Sequence, residues 1–312
     1  FRRVSVELVP GSDWSERFDR LIEAADSLTV ASDHYAAGST STFEYANLLL
    51  TGSGRLRAGV LGTSVVGLAV WDGCPGDGGG GTASAIDLWK GQNIDVEHVD
   101  LASLVSASAS DSRQPQRRAV TEFGSGYGSE FTHEIKAMLF ADAVGYSKMT
   151  EDQIPIFIRR CLGGVAALND QSPHRPVHTE TAGDGLYMVF PSVADAGLYA
   201  LELSDLIHTA DWEAMGLPAD LDIRIALHCG PVFCGQDPIT GLPMYTGPHT
   251  SRTARIEPIT PPGQVYASSA FAAVAAALGV SGMSYRYIGR TNLAKKYGAV
   301  ALFHISRSAA SG

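Results

Sequence analysis

The sequence predicts an α/β protein in two parts: a parallel α/β segment over residues 1–101 and an α+β domain over residues 132–312. Three observations carry that prediction. Residues 64–101 read as strand, glycine-rich loop, helix and strand, a βαβ unit that requires a parallel sheet. Residues 135–305 give strands and helices that begin βαββαβ, the order of a ferredoxin-like core. Residues 102–131, between the two, are rich in Ser, Gly, Gln and Arg without a sustained apolar period, and read as a linker.

In the first part, residues 4–9 (VSVELV) alternate in the manner of a strand. Phe18, Leu21, Ile22 and Ala25 recur at helical spacing over 15–28. Residues 42–61 predict a second helix, broken or kinked near Gly52 and Gly54. The nearly continuous apolar run 64–71 (SVVGLAVW) predicts a buried strand. Residues 72–81 (DGCPGDGGGG) are the loop, 82–90 the helix and 94–101 the closing strand. The chain opens at Phe1 and turns strand-like within a few residues, which predicts further sequence upstream.

The second part starts with a strand over 135–141 (IKAMLFA). A helix over 152–168 places Ile156, Ile158, Leu162 and Val165 as its apolar residues. Strands 176–181 and 186–190 pair across Ala182, Gly183, Asp184 and Gly185. An amphipathic helix over 194–208 precedes a cleanly alternating strand, 221–229 (LDIRIALHC). A short helix (250–257), a strand (264–267), a helix (270–278) and strands 285–288 and 300–305 complete the domain.

Of the 312 residues, 45% are hydrophobic and 18% charged, a globular balance. The formal net charge of −10 argues against a large non-specific nucleic-acid surface. Cys74, Cys161, Cys229 and Cys234 form no C-x-x-C pair and no zinc-spaced array, and read as reduced thiols of a cytoplasmic protein. No apolar run approaches the roughly 20 residues of a membrane helix, and the start has no signal-peptide pattern.

Two segments carry the chemistry. In residues 140–147 (FADAVGYS) an apolar strand ends in Asp142 and a glycine turn follows. In residues 180–190 (ETAGDGLYMVF) a hairpin turn presents Asp184 between glycines. Singly, each aspartate also suits a helix cap or a hairpin turn. Together, at the ends of adjacent strands, they suit Mg²⁺, which takes one or two carboxylates plus substrate phosphates. The backbone amides of Ala143, Val144, Gly145 and Tyr146, near a helix start, suit phosphate oxygens.

Both segments closely resemble the metal-binding motifs of class III adenylyl and guanylyl cyclases, F-x-D-x-x-G-[FYS]-[ST] and G-D-x-[YFL]-[ML]. Residues 224–232 (RIALHCGPV) resemble the family's R-[IV]-G-[IL]-x-x-G-x-[VA] strand, and 247–257 (GPHTSRTARIE) its G-x-x-V-N-x-A-[AS]-R-[ML]-E helix. The four motifs stand in family order across 134–305. No G-G-[DE]-[EF]-F string supports the competing diguanylate cyclases.

The resemblance implies a phosphorus–oxygen lyase that turns a nucleoside triphosphate into a 3′,5′-cyclic nucleotide and pyrophosphate. It implies two Mg²⁺ or Mn²⁺ ions on Asp142 and Asp184, and Arg255 on the α-phosphate in the transition state. Lys295 or Lys296 would hold the terminal phosphates. Ser251 stands where the family has a transition-state asparagine. Glu180 occupies the base-selecting position, lysine in adenylyl and glutamate in guanylyl cyclases, and the second base contact falls at Met244, Tyr245 or Thr246. A carboxylate accepts hydrogen bonds only, so Glu180 suits the N–H edge of guanine and disfavours ATP. Pyrimidine cyclases of antiphage signalling share the fold and form an alternative, as does a degenerate regulatory or nucleotide-binding module, which Ser251 favours. The family's shared sites imply a head-to-tail homodimer, with the metal aspartates on one subunit and Glu180, Arg255 and the lysine on the other. Residues 72–82 resemble the glycine-rich loop of Rossmann-like nucleotide-sensing domains of the SLOG or TIR-like kind. That single loop leaves a small-molecule ligand and a purely structural role both open.

Overall fold

The computed structural model describes residue 6 and residues 12–32, 39–75, 79–108, 130–293 and 298–308. Lys295, Lys296 and most of the strand expected over 4–9 lie outside these residues.

Helix α1 (Trp14–Ala24) buries none of its residues. Helix α2 (Ser41–Leu61) runs without a break through Gly52 and Gly54, where the sequence predicts a break or kink. Close packing explains the difference. A Cβ on Gly52 would lie 1.6 Å from the Ala273 carbonyl oxygen, so only glycine lets α2 touch the backbone of helix α9 (Ser269–Ala277). Helices in proteins are held mainly by such tertiary contact, which here outweighs the poor propensity of glycine. Tyr45 of α2 is 1% exposed, and its hydroxyl donates to the Cys229 carbonyl at 2.8 Å. Helix α2 thus shares a core with the second part of the chain.

Strand β1 (Val66–Trp71), helix α3 (Thr82–Gly91) and strand β2 (Asp95–Asp100) form the expected parallel unit, registered from Val66↔Asp95 to Trp71↔Asp100. Strand β1 is buried on one face only. Gly67 and Ala69 face inward, small enough for Trp89 of α3 to lie against the sheet, while Val66, Leu68 and Val70 are exposed. In the glycine-rich loop, Gly80 packs on α2: Asn47 Nδ2 donates to its carbonyl at 2.9 Å, and a Cβ on it would meet Phe43 at 2.4 Å. This part of the loop docks a helix. Helix α4 (Leu101–Ser108) then opens the stretch that reads as a linker.

The second part is built on an eight-stranded sheet. Strands β3 (Thr132–Val144), β4 (His178–Ala182), β5 (Gly185–Phe190) and β6 (Asp222–Gln236) lie in the order β4-β5-β3-β6, every neighbour antiparallel, which is the ferredoxin-like core. Strand β7 (Pro243–Thr246) pairs with β6. On the far side, β8 (Val265–Ser268) runs parallel to β6, followed by β10 (Ala299–Arg307) and β9 (Met283–Asn292). The helix expected over 152–168 is α5 (Gln153–Phe157), a π-helical turn (Ile158–Leu162) and α6 (Gly163–Gln171). Helices α7 (Val193–Thr209) and α8 (Pro248–Ile256) complete the set.

Strand periodicity sorts the residues onto two faces. Leu139, Met188, Ile225 and Leu227 enter the main core, with α2, α7 and α9 packed against them. The alternate positions Met138, Phe140 and Asp142 of β3, Tyr187 of β5, and Arg224 and His228 of β6 lie on the other face, with α8. None of the described helices is long and apolar enough to cross a membrane.

Candidate active site

Pairing fixes the centre of the site. Asp142 is the partner of Gly185 on one side and of Arg224 on the other. The β4–β5 turn carries Asp184 beside it. Burial first, then the charge of Asp184, pushes the Asp142 carboxyl above its ordinary range, and Arg224 only partly opposes this. Glu257, after α8, is raised in the same way by burial and then by Asp142. The Arg224 guanidinium lies between them, Nη2 3.7 Å from Asp142 Oδ2 and Nε 3.7 Å from Glu257 Oε1. Those distances are too long for hydrogen bonds, and Arg224 Nε and Glu257 Oε1 are buried without a hydrogen-bond partner. One guanidinium facing three carboxylates leaves the cluster short of positive charge. Buried groups left in that condition are uncommon in structural roles and mark sites that receive a ligand.

A cavity of about 610 Å³ opens from this cluster, within the range of small-molecule sites. It is lined by Asp142, Glu180, Tyr187, Met244, Tyr245, Thr246 and Glu257 among others. The sequence-predicted Asp142, Glu180, Met244 and Thr246 therefore meet in one space. Asp184, residues 143–146, Arg224, Ser251 and Arg255 do not line it. Helix α8 turns Thr250 and Ala254 to the cavity and buries His249, Thr253 and Ile256. Ser251 and Arg255 lie further round, where Arg255 Nη1 donates to the Ser251 carbonyl at 2.7 Å. Strand β3 runs on through Val144, paired with Asp222, and only a three-residue 3₁₀ turn (Tyr146–Lys148) follows Gly145. Residues 143–146 are thus a strand end and a turn, instead of the helix start that the sequence predicts.

Three features escape the sequence reading. Arg224 and Glu257 complete the charge cluster; the alternation of β6 puts Arg224 on the Asp142 face, a signal that was available. His178 holds Glu180: its Nε2 lies 2.7 Å from Glu180 Oε1. Behind the site, His228 and His249 form a buried chain. His228 Nδ1 lies 2.6 Å from Ser268 Oγ, and His228 Nε2 lies 2.9 Å from His249 Nδ1. Burial holds both rings neutral, His249 pushed down to about 3 and His228 well below the usual histidine range.

As to a metal, no group of three or more His, Cys, Asp or Glu side chains is arranged as a self-sufficient centre among the described residues. Two carboxylates at a charge-deficient cleft fit a hard cation whose other ligands come from a substrate phosphate and water.

No protein-family model matches the chain. The second part is similar in structure to the guanylyl cyclase Cya2, with a TM-score of 0.51 and 17% identity over 58% of this chain and 96% of that one. It shares that fold. The adenylyl cyclase CyaB from P. aeruginosa aligns over 58% of this chain and 98% of its own, with a TM-score of 0.49 and 14% identity. In sequence, 105 residues are 30% identical to a protein described as adenylate cyclase from Mycosarcoma maydis. That match covers 28% of this chain, and the chain spans about 4% of that protein.

Proposed function

We propose that the chain is a nucleotide cyclase that converts a nucleoside triphosphate, GTP by preference, into the 3′,5′-cyclic nucleotide and pyrophosphate. The observation that carries this reading is the charge-deficient cluster of Asp142, Asp184 and Glu257, of which Asp142 and Glu257 line a cavity that also takes Glu180. Asp142 and Asp184 would hold two Mg²⁺ or Mn²⁺ ions; when bound, these supply Lewis-acid stabilisation of phosphate charge and a lower pKa for the attacking hydroxyl. The ribose 3′-oxygen gives its proton to water and bonds to the α-phosphorus, and the bond from the α-phosphorus to the β-phosphate oxygen breaks in line, releasing pyrophosphate. Glu180 accepts from the base edge. Arg224 offers the triphosphate a cation that the protein's own carboxylates leave without a hydrogen bond. Asp142 and Glu180 line one cavity within a single chain, so in the two-fold homodimer that the resemblance implies the second chain would add the partner's Arg255 to each of two equivalent sites. Helix α2 shares the core of the second part, which supports a structural role for the first part over a ligand-sensing one.

Each of the four triphosphates incubated with Mn²⁺, beside Asp142→Ala, tests this. We expect cyclic GMP in excess of cyclic AMP and none from the variant. No cyclic product from any nucleotide would sink the enzyme reading. It would leave the second one, a nucleotide-binding module, which Ser251 and Arg255 favour by lying outside the cavity lining.

A further inference from the structure

We infer that His178 is a specificity-determining positioning residue: it fixes the Glu180 carboxylate and thereby sets how strictly the site rejects adenine. The inference rests on the nucleotide-site reading and adds a residue to it.

The geometry starts from strand period. His178 and Glu180 are two apart on β4, so both side chains stand on the face that carries Tyr187, the cross-strand partner of Glu180. Glu180 lines the cavity and its side chain is 58% exposed, so by itself it would sample several rotamers. The His178 side chain is 9% exposed. Its ring is wedged between two aromatic neighbours, with centroids 5.3 Å from Tyr245 and 6.1 Å from Tyr187. Those neighbours are fixed in turn: the Tyr187 hydroxyl donates to the Tyr245 carbonyl at 2.9 Å, and the Tyr187 ring stacks on Phe140 at 4.7 Å. A ring so held can donate from Nε2 in one direction only, to Glu180 Oε1 at 2.7 Å.

Two consequences follow. The mobile carboxylate is tied to a rigid aromatic base, which lowers the entropy lost when a nucleotide is bound. The bond also occupies part of Oε1 and leaves Oε2 as the freer acceptor. A fixed acceptor pairs with the N–H edge of guanine or uracil and repels the N1 lone pair of adenine. A carboxylate free to swing away tolerates adenine. Rejection by a site built to hydrogen-bond depends on its polar groups being unable to find another partner.

The test uses the full 312-residue chain and two variants that separate the donor from the packing. His178→Phe keeps an aromatic wedge and loses the donor; His178→Gln keeps a donor near the Nε2 position and loses the ring. Equilibrium binding of GTP, UTP and ATP with Ca²⁺ in place of Mn²⁺ is read first, then kcat and KM with Mn²⁺. We expect His178→Phe to lower the preference for GTP over ATP about tenfold, the scale of one hydrogen bond to a charged group, mainly through KM. His178→Gln should stay within about threefold of the parent, as a retained donor requires. If His178→Phe keeps the parent's base preference, or His178→Gln loses more of it than His178→Phe, the ring is only packing and the inference falls alone. If the parent binds none of the three nucleotides, the inference falls together with the reading beneath it.

Discussion

Strand β6 and helix α8 carry two polar clusters a few residues apart, and the two are built on opposite terms. At one end, Arg224 sits among Asp142, Asp184 and Glu257 with ion pairs stretched to 3.7 Å. One strand turn further, His228 is fully buried and bonded at both ring nitrogens, to Ser268 and His249. The second cluster is closed, its polar atoms paired within the protein. The first opens on a cavity and keeps unpaired atoms and raised carboxyls. An arrangement that costs stability persists where something outside the chain completes it, whereas a closed network fixes a core. That contrast supports the proposed reading of the carboxylate cluster as the place that receives a ligand, while the histidine chain joins α8 to β6.

The sharpest way to break the comparison is to neutralise Asp142. Its folded pKa lies above the ordinary value, so its contribution to stability is present below that value and lost as pH rises through the folded pKa. At neutral pH the charged form is therefore a cost, and Asp142→Asn removes it. Cyclic nucleotide formation should fall on the order of 10³-fold, the scale of lost metal-ion stabilisation. The melting temperature at pH 7 should hold or rise. Added Mn²⁺ should stabilise the parent protein and leave the variant unmoved. A variant that melts well below the parent would make Asp142 a structural residue and erase the contrast.

The closed cluster should respond the other way. His249→Leu leaves His228 Nε2 buried without a partner and should cost about 1–3 kcal/mol in urea unfolding. Its pH dependence has a definite sign. The His249 pKa is held down to about 3 by burial, then by the charges of Arg252 and His133. Its contribution is whole above the ordinary value of 6.5 and is lost as pH falls from there towards 3. Stability of the parent should therefore drop between pH 7 and pH 5, and the drop should be smaller in the variant. Equal slopes would show that the histidine pair is not what acid attacks.

Legibility in the sequence divides along the same line. The place of Asp142 at a strand end and the succession of β-strands are legible because each depends on short-range pattern, a glycine turn and a two-residue period, whereas Glu180 is singled out by the family resemblance alone. What escaped depends on contacts distant in the chain. The burial of His249 follows only when β6 brings His228 against it. The continuity of α2 through Gly52 is set by Ala273, far along the chain. Strand β1 looked buried because its residues are apolar on both faces, but the described sheet has only two strands and α3 covers one face. The sequence of the glycine-rich loop leaves a small-molecule ligand and a structural role both open, and at Gly80 the loop is filled by α2. Local pattern locates an element, while what covers it is decided elsewhere in the chain.

The smallest effect tests the outer side of α8, which neither cluster uses. Ser251 is exposed, and one turn later Arg255 bonds back to its carbonyl, so the side chain at 251 meets no demand from the fold. Its substitution should leave stability within about 0.5 kcal/mol, as for surface changes away from special features. If Ser251 faces a partner's nucleotide in the homodimer, Ser251→Asn extends a donor towards it and should raise kcat up to about tenfold, roughly 1.4 kcal/mol in the barrier. The gain should appear in kcat with KM little changed, because a contact made only in the transition state lowers the barrier without tightening the ground state. An unchanged rate at full dimer occupancy would show that the short serine already suffices, or that this face of α8 never meets substrate. Mixing Ser251→Asn with Asp142→Ala locates any gain: if residue 251 serves its neighbour's site, the one live site of the mixed dimer keeps a serine and shows no gain, whereas a gain in the mixed dimer means that residue 251 serves its own chain's site.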